Sequence, residues 1–156
     1  MKARKNNHAT RSTKEGLHVR IKAASTPQYK SAMAAGCDLC AAIDRKIVVR
    51  AGDFCTVPTG VRLEIPPGYE AQVRPRSGLA KQHGIGVLNA PGTIDSDYRG
   101  EIMVIIFNYG DKPFTIRNRD RIAQLVFSPV ERAHFVRAKR LKRTARQGGG
   151  FGHTGV

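Results

Sequence analysis

From Leu17 onward the apolar residues fall into short runs rich in Val, Ile, Phe and Thr. The runs are Leu17 to Ile21, Lys46 to Val49, Phe54 to Val57, Val61 to Ile65, Tyr69 to Val73, Glu101 to Asn108, Pro113 to Arg117 and Ile122 to Val126. Between them stand turn-forming segments, RAGD at 50–53, PTG at 58–60, PPG at 66–68 and NYGD at 108–111. Short β-type runs recurring every ~8–12 residues predict an all-β chain, folded as a sandwich or a jelly-roll-like barrel. No segment keeps a helical apolar period long enough for a major helix; Ser77 to Gln82, just after Pro75, predicts one short helix beginning at Ser77.

The pattern is lost at both ends. Residues 1–16 are polar, basic and aperiodic, which predicts a disordered basic arm. After Val130 the chain passes into ERAHFVRAKRLKRTARQ and then GGGFGHTGV, where four glycines lie in the five residues 148–152. Such a segment holds no regular element cheaply. The expected organisation is therefore a β domain over 17–140 between the basic arm and a flexible C-terminal arm over 141–156.

Length and composition narrow this further. The 156 residues make one ordinary domain. No apolar run approaches the roughly 20 residues that cross a bilayer, and the basic N-terminus has no apolar run behind it, so no membrane association and a cytoplasmic location are expected. Three cysteines, Cys37, Cys40 and Cys55, are an odd number and predict reduced thiols. The Cys37-x-x-Cys40 spacing lacks a second ligand pair, and on a strand its two side chains point to opposite faces, which argues against a metal or redox site. The net charge of +15 sits in the ends, with +6 in residues 1–22, +6 in residues 131–146 and +3 elsewhere. Basic ends suit solvated tails, a weak nucleic-acid grip or a funnel for a polyanionic substrate, and charge alone leaves these open. A dedicated single-strand binder would interleave aromatics with its Lys and Arg, yet no aromatic precedes Tyr29.

Candidate chemistry lies in five segments. In GTIDSDYRGE (92–101), Asp95 is a carboxylate between glycines, suited to activating water, and an extended backbone would put Asp97 on the same face. The same acids also suit a solvated hairpin tip. In PRSGLA (75–80), Arg76 offers a donor fork, Ser77 a hydroxyl and Gly78 a close backbone approach at a helix start; Ser77 as a plain helix cap is the bland reading. In DRIAQL (120–125), Gln124 can bind a phosphate oxygen, while Arg121 equally suits a structural ion pair. The tail segment RQGGGFGHTG (146–155) has the composition of a flap that stacks on a base, or of a loose tail. In AGCDL (35–39), Asp38 is read as a loop carboxylate that holds a metal-bound water or caps a turn.

In their order and intervals these five segments resemble the five motifs of the trimeric dUTP diphosphatases, the dUTPases, over about Leu17 to Val156. The resemblance implies a jelly-roll-like dUTPase barrel, a homotrimer with active sites shared between subunits, and hydrolysis of dUTP to dUMP and pyrophosphate, keeping uracil out of DNA and supplying dUMP for thymidylate synthesis. It also implies roles. Asp95 is the base for a water attacking the α-phosphorus. Asn89 reads uracil together with backbone at Thr93, Ile94 and Met103, and Tyr98 packs under the deoxyribose, leaving no room for a 2′-hydroxyl. Arg76, Ser77, Gly78 and Gln124 hold phosphates. Phe151 stacks on the base, while Arg146 and Thr154 clamp the γ-phosphate. Mg²⁺ rides on the triphosphate and meets Asp38 only through water. Two positions depart from the family pattern: Cys37, where an aromatic or aliphatic residue is common, and His153, where Ser is usual. A related dCTP deaminase would need a carboxylate at the base's amine; the complete IDSDYRG segment favours phosphate chemistry instead. Weak nucleic-acid binding by the basic tails remains compatible with this reading.

Overall fold

A computed structural model describes residues 16–149. Along them run β1 (Arg20–Lys22), β2 (Cys37–Cys40), β3 (Ile47–Val49), β4 (Phe54–Pro58), β5 (Arg62–Glu64), β6 (Tyr69–Arg74), α1 (Ser77–His83), β7 (Ile85–Val87), β8 (Gly92–Ile94), β9 (Met103–Asn108), β10 (Phe114–Ile116) and β11 (Arg121–Pro129). Each run named from the sequence holds a strand, and the one predicted helix is α1. Strands β2, β7 and β8 had no such signal. They are short, and Asp38, Gly86 and Gly92 interrupt their apolar character; they are strands because longer neighbours offer them free edges.

The strands form a jelly-roll-like β fold. One sheet has the order β2-β11-β6-β8, a second β4-β9-β7, and two ribbons pair β1 with β5 and β10 with β3. Every pairing is antiparallel. Alternation sorts the side chains: Val104 and Ile106 of β9 point into the core, whereas Met103 is exposed. Leu39, Ile65, Ile85, Ile102, Ile116, Ile122 and Leu125 are the other Leu and Ile side chains that are fully buried. Past Val130 the described chain has no helix or strand, and Phe135, Val136 and Leu141 are exposed.

Two glycines let α1 end against the turn after β9. Gly84 closes the helix at φ +66°, and a Cβ there would stand 2.6 Å from the Gly110 nitrogen; a Cβ on Gly110 would stand 2.5 Å from the His83 carbonyl oxygen. The same turn is tied from inside by Asn108, which is fully buried. Its Nδ2 donates to the carbonyls of Val49 (3.0 Å) and Lys112 (2.8 Å), and its Oδ1 accepts from the Gly110 N–H (2.9 Å).

The cysteines carry free thiols. Burial pushes the pKa values of Cys37 and Cys55 up, which disfavours the reactive thiolate, and the Cys37 Sγ lies 3.7 Å from the Leu125 carbonyl oxygen.

Replacing Asn108 with Ala leaves the buried Val49 carbonyl, the Lys112 carbonyl and the Gly110 N–H without their partner at once. The Asn108→Ala protein is expected to lose about 2–4 kcal/mol of unfolding free energy. Urea titration followed by circular dichroism checks this, as a lowered midpoint at unchanged slope.

Candidate active site

The segment carrying Asp95 crosses between the two main sheets. It leaves from β8, at the edge of the four-stranded sheet, and arrives in β9, at the centre of the three-stranded one. The backbone turns directly after Ile94: the Tyr98 N–H donates to the Asp95 carbonyl (3.1 Å), and Arg99 Nη1 donates to the carbonyls of Ser96 (2.7 Å) and Tyr98 (3.1 Å). The extended alternation that would align Asp95 with Asp97 is therefore absent, because the tight turn at Ser96 and Asp97 ends the strand geometry.

What this turn produces is a cleft of about 360 Å³ lined by Thr93, Ile94, Asp95, Tyr98 and Met103, with Thr56 and Ile105 behind them. Asp95 is exposed at this cleft. A recess whose exposed carboxylate is Asp95, with the half-buried Glu101 taken up by the Gly60 N–H, can hold a flat organic group and present a base to a water beside it. A roomier depression along residues 29–35 has no carboxylate and offers no comparable chemistry.

A second cluster forms around Asp38. The sequence reading put this residue in a loop; it lies within β2 and is 8% exposed, because β11 recruits the segment as a neighbouring strand. Its Oδ2 accepts from Arg121 Nη1 at 3.1 Å, and its Oδ1 lies 3.2 Å from Arg76 Nε without hydrogen-bond alignment. Arg76 Nη1 donates to the Arg121 carbonyl (3.0 Å). One carboxylate between two guanidiniums leaves a net positive charge and fixes the Arg76 fork in place, a surface receptive to an anion. Gln124 pairs with Asp38 on one side and Arg74 on the other. Gly36 keeps clear of it, since a Cβ there would stand 2.7 Å from Gln124 Oε1. Ser77 and Gly78 are exposed at the start of α1, with Arg76 at the cap position, and no side chain caps the helix.

The structure thus brings Thr93, Ile94, Asp95, Tyr98 and Met103 together, and separately Asp38, Arg76 and Arg121. Asn89 packs beside the start of β8, its Nδ2 3.1 Å from where a Cβ on Gly92 would be. Neither Asn89 nor Arg76, Ser77, Gly78 or Gln124 lines the Asp95 cleft. Arg146 is exposed and its Nε donates to the Gly149 carbonyl (2.7 Å). Phe151, His153 and Thr154, like most of the basic N-terminal arm, lie outside the described residues. Sequence reasoning missed Thr56, Glu101 and Ile105 as cleft residues; the alternation of β4 against β9 was the available signal for Thr56 and Ile105.

Among the described residues no three His, Cys, Asp or Glu side chains converge as a metal site, and no helix is long and apolar enough to cross a membrane. Each Asp38 oxygen faces one guanidinium and keeps a second lone pair, which can accept from a metal-bound water. The donor set fits a divalent cation carried by a ligand's own oxygens, not one caged by protein.

The chain matches the dUTPase family model over residues 22–155. It is 58% identical over 131 residues to the deoxyuridine 5′-triphosphate nucleotidohydrolase of Chlamydia pneumoniae, covering 83% of this chain and 90% of that one. In structure it is similar to the Staphylococcus bacteriophage 80alpha dUTPase bound to dUPNHPP (TM-score 0.80, 22% identity, covering 89% of this chain and 99% of that one). It is also similar to a D95N mutant dUTPase from phage phi11 of S. aureus, solved with a structural Mg(II) ion (TM-score 0.72, 18% identity, 81% and 99% covered).

Asp38→Asn removes the charge shared by Arg76 and Arg121. With the Arg121 side chain 47% exposed and that of Arg76 21% exposed, solvent screens part of the loss, and the variant is expected to be destabilised by about 1–3 kcal/mol. Chemical denaturation of the variant beside the parent protein measures it.

Proposed function

The chain belongs to the dUTPase family, hydrolysing dUTP to dUMP and pyrophosphate, and from its geometry we propose how its residues do so. Uracil enters the cleft formed by Thr93, Ile94 and Met103, with Asn89 supporting the start of β8, whose backbone reads its edge. A narrow recess rejects the thymine methyl, and backbone groups at Thr93, Ile94 and Met103 reject the donor pattern of cytosine. Tyr98 packs under the deoxyribose and leaves no space for a 2′-hydroxyl. The observation that carries the reading is the exposed carboxylate of Asp95 at this cleft.

Asp95 accepts a proton from water as the water oxygen bonds to the α-phosphorus. The bond from that phosphorus to the oxygen bridging to the β-phosphate breaks on the opposite side, and pyrophosphate departs. Arg76, Ser77, Gly78 and Gln124 hold the phosphates, with the fork of Arg76 oriented by Asp38 and by the Arg121 carbonyl. Mg²⁺ on the triphosphate would offset phosphate charge and meet Asp38 through water. Arg146, Phe151 and Thr154 close over the ligand from the C-terminal arm, the Phe stacking on uracil.

The phosphate-holding residues and the Asp95 cleft belong to different parts of one chain, which supports a site completed between subunits of a homotrimer. The outer face of the β4-β9-β7 sheet supports it independently. Phe54, Leu88, Met103, Ile105, Phe107 and Tyr109 share one side of that sheet, most of them exposed, and the Phe107 and Tyr109 rings pack tilted at 47° with centroids 4.1 Å apart. Met103 and Ile105 also line the cleft, so a copy seated on this face would abut the bound substrate. The seven Lys and Arg of residues 131–146 favour weak, salt-sensitive contact with nucleic acid besides. A cytoplasmic location suits an enzyme acting on the deoxynucleotide pool.

Pyrophosphate release from dUTP, dTTP, dCTP and UTP, with and without Mg²⁺, tests the substrate assignment; release from dUTP alone is expected, faster with the metal. Asp95→Asn is expected to bind dUTP nearly normally while kcat falls by about 10²–10⁴-fold. Substantial turnover by this variant would remove Asp95 as the base.

Phe107→Asp is expected to turn the trimer into monomers in light scattering and to abolish turnover, with the β-sheet circular dichroism retained. An active monomer would overturn the shared site.

A further inference from the structure

Tyr98 presents an unusual wall. Its ring lines the cleft yet is 43% exposed, so packing alone does not immobilise it. Its polar end is tethered: Oη donates to the Glu101 carbonyl at 2.9 Å. The ring lies so close over the intervening residue that a Cβ on Gly100 would overlap its Oη and ring carbons. Glu101 is fixed in turn from outside this crossing segment, its Oε1 accepting the Gly60 N–H at 2.8 Å. Gly60 takes a left-handed backbone at φ +67°, a conformation that suits glycine. On either side of it, the buried Thr59 hydroxyl donates to the Ile102 carbonyl (2.6 Å) and accepts from the Val61 N–H (3.2 Å), and the Ile102 N–H donates to the Val61 carbonyl (2.8 Å).

We propose that Glu101 is a positioning residue for sugar selectivity: by clamping the segment that crosses from β8 to β9 onto Thr59–Val61 through the Gly60 N–H, it holds the Tyr98 ring rigid enough to exclude a 2′-hydroxyl. This rests on the placement of the deoxyribose over Tyr98 given above. Steric exclusion is only as good as the stiffness of the wall, and a wall that yields by about 1 Å admits an added oxygen atom. The Tyr98 hydroxyl gives its one proton to the Glu101 carbonyl and has none left to donate to the sugar. Discrimination then depends on where the ring is held. The tether runs on towards the chemistry, since the Tyr98 N–H also bonds the Asp95 carbonyl.

The test compares kcat/KM for dUTP with kcat/KM for UTP in the full-length protein and in Glu101→Ala, Glu101→Gln and Tyr98→Phe. Glu101→Ala loses the acceptor for Gly60, and Tyr98→Phe keeps the ring but loses its tether. Both are expected to lower the dUTP-to-UTP ratio by about tenfold, mainly because UTP turnover falls less than dUTP turnover or rises. Glu101→Gln keeps an oxygen acceptor and is expected to stay near the parent ratio. A general structural role would depress both substrates together and leave the ratio alone; that result in Glu101→Ala and Tyr98→Phe would overturn the proposal. Tyr98→Phe leaves the clamp untouched and keeps the test decisive should Glu101→Ala fold poorly. If the parent protein hydrolyses UTP as fast as dUTP, the sugar placement over Tyr98 falls, and the clamp proposal with it.

Discussion

Between Ile94 and Met103 the chain leaves the edge of one sheet and enters the centre of the other, and a crossing of that kind must satisfy its backbone polar groups without a ladder partner of its own. It does so partly through its own turn and partly through the Thr59–Val61 segment, which supplies a hydroxyl, a backbone carbonyl and a backbone N–H to Glu101 and Ile102. The sheets on either side set where the two ends stand. The hydrogen bonds set what the middle does. Asp95 and Tyr98 are exposed side chains on a backbone that has little freedom, which is the combination a catalytic group and a steric wall require.

The electrostatics divide between the two clusters. At the cleft the exposed carboxylate is that of Asp95, suited to proton transfer, while the half-buried Glu101 is held by the Gly60 N–H. Around Asp38 the balance is reversed, with two guanidiniums against one acid, suited to binding negative charge. One chain does not merge the two, and the apolar sheet face beside Met103 and Ile105 gives a physical reason for several copies to do so. In the trimer proposed above a polyanionic substrate would be gripped by one subunit and cut by another, and assembly and activity would depend on the same surface.

Much of the fold was legible in the chain. Alternating Val, Ile and Phe separated by Gly and Pro turns located the longer strands, and Pro75 marked the start of the one helix. The strands at Cys37–Cys40, Ile85–Val87 and Gly92–Ile94 were not legible, because three or four residues interrupted by Asp or Gly carry no period of their own and take strand geometry from their neighbours. The same holds for Asp38. Nothing in AGCDL distinguishes a loop carboxylate from one buried in a sheet, and only the pairing with β11 decides it.

The sequence by itself determined the kinds of chemistry available and the order in which they occur: the acid of GTIDSDYRGE, the forked cation of PRSGLA, the charge confined to the ends. These are properties of side chains and of local spacing. Tertiary structure decided which of them meet. Asp38 and Arg121 are 83 residues apart and form an ion pair; Gly60 and Glu101 are 41 apart and share a hydrogen bond. Such contacts follow from long-range strand register, whose driving force is the burial of Val, Ile and Leu on the inner faces of the sheets, and no local pattern around either partner encodes it.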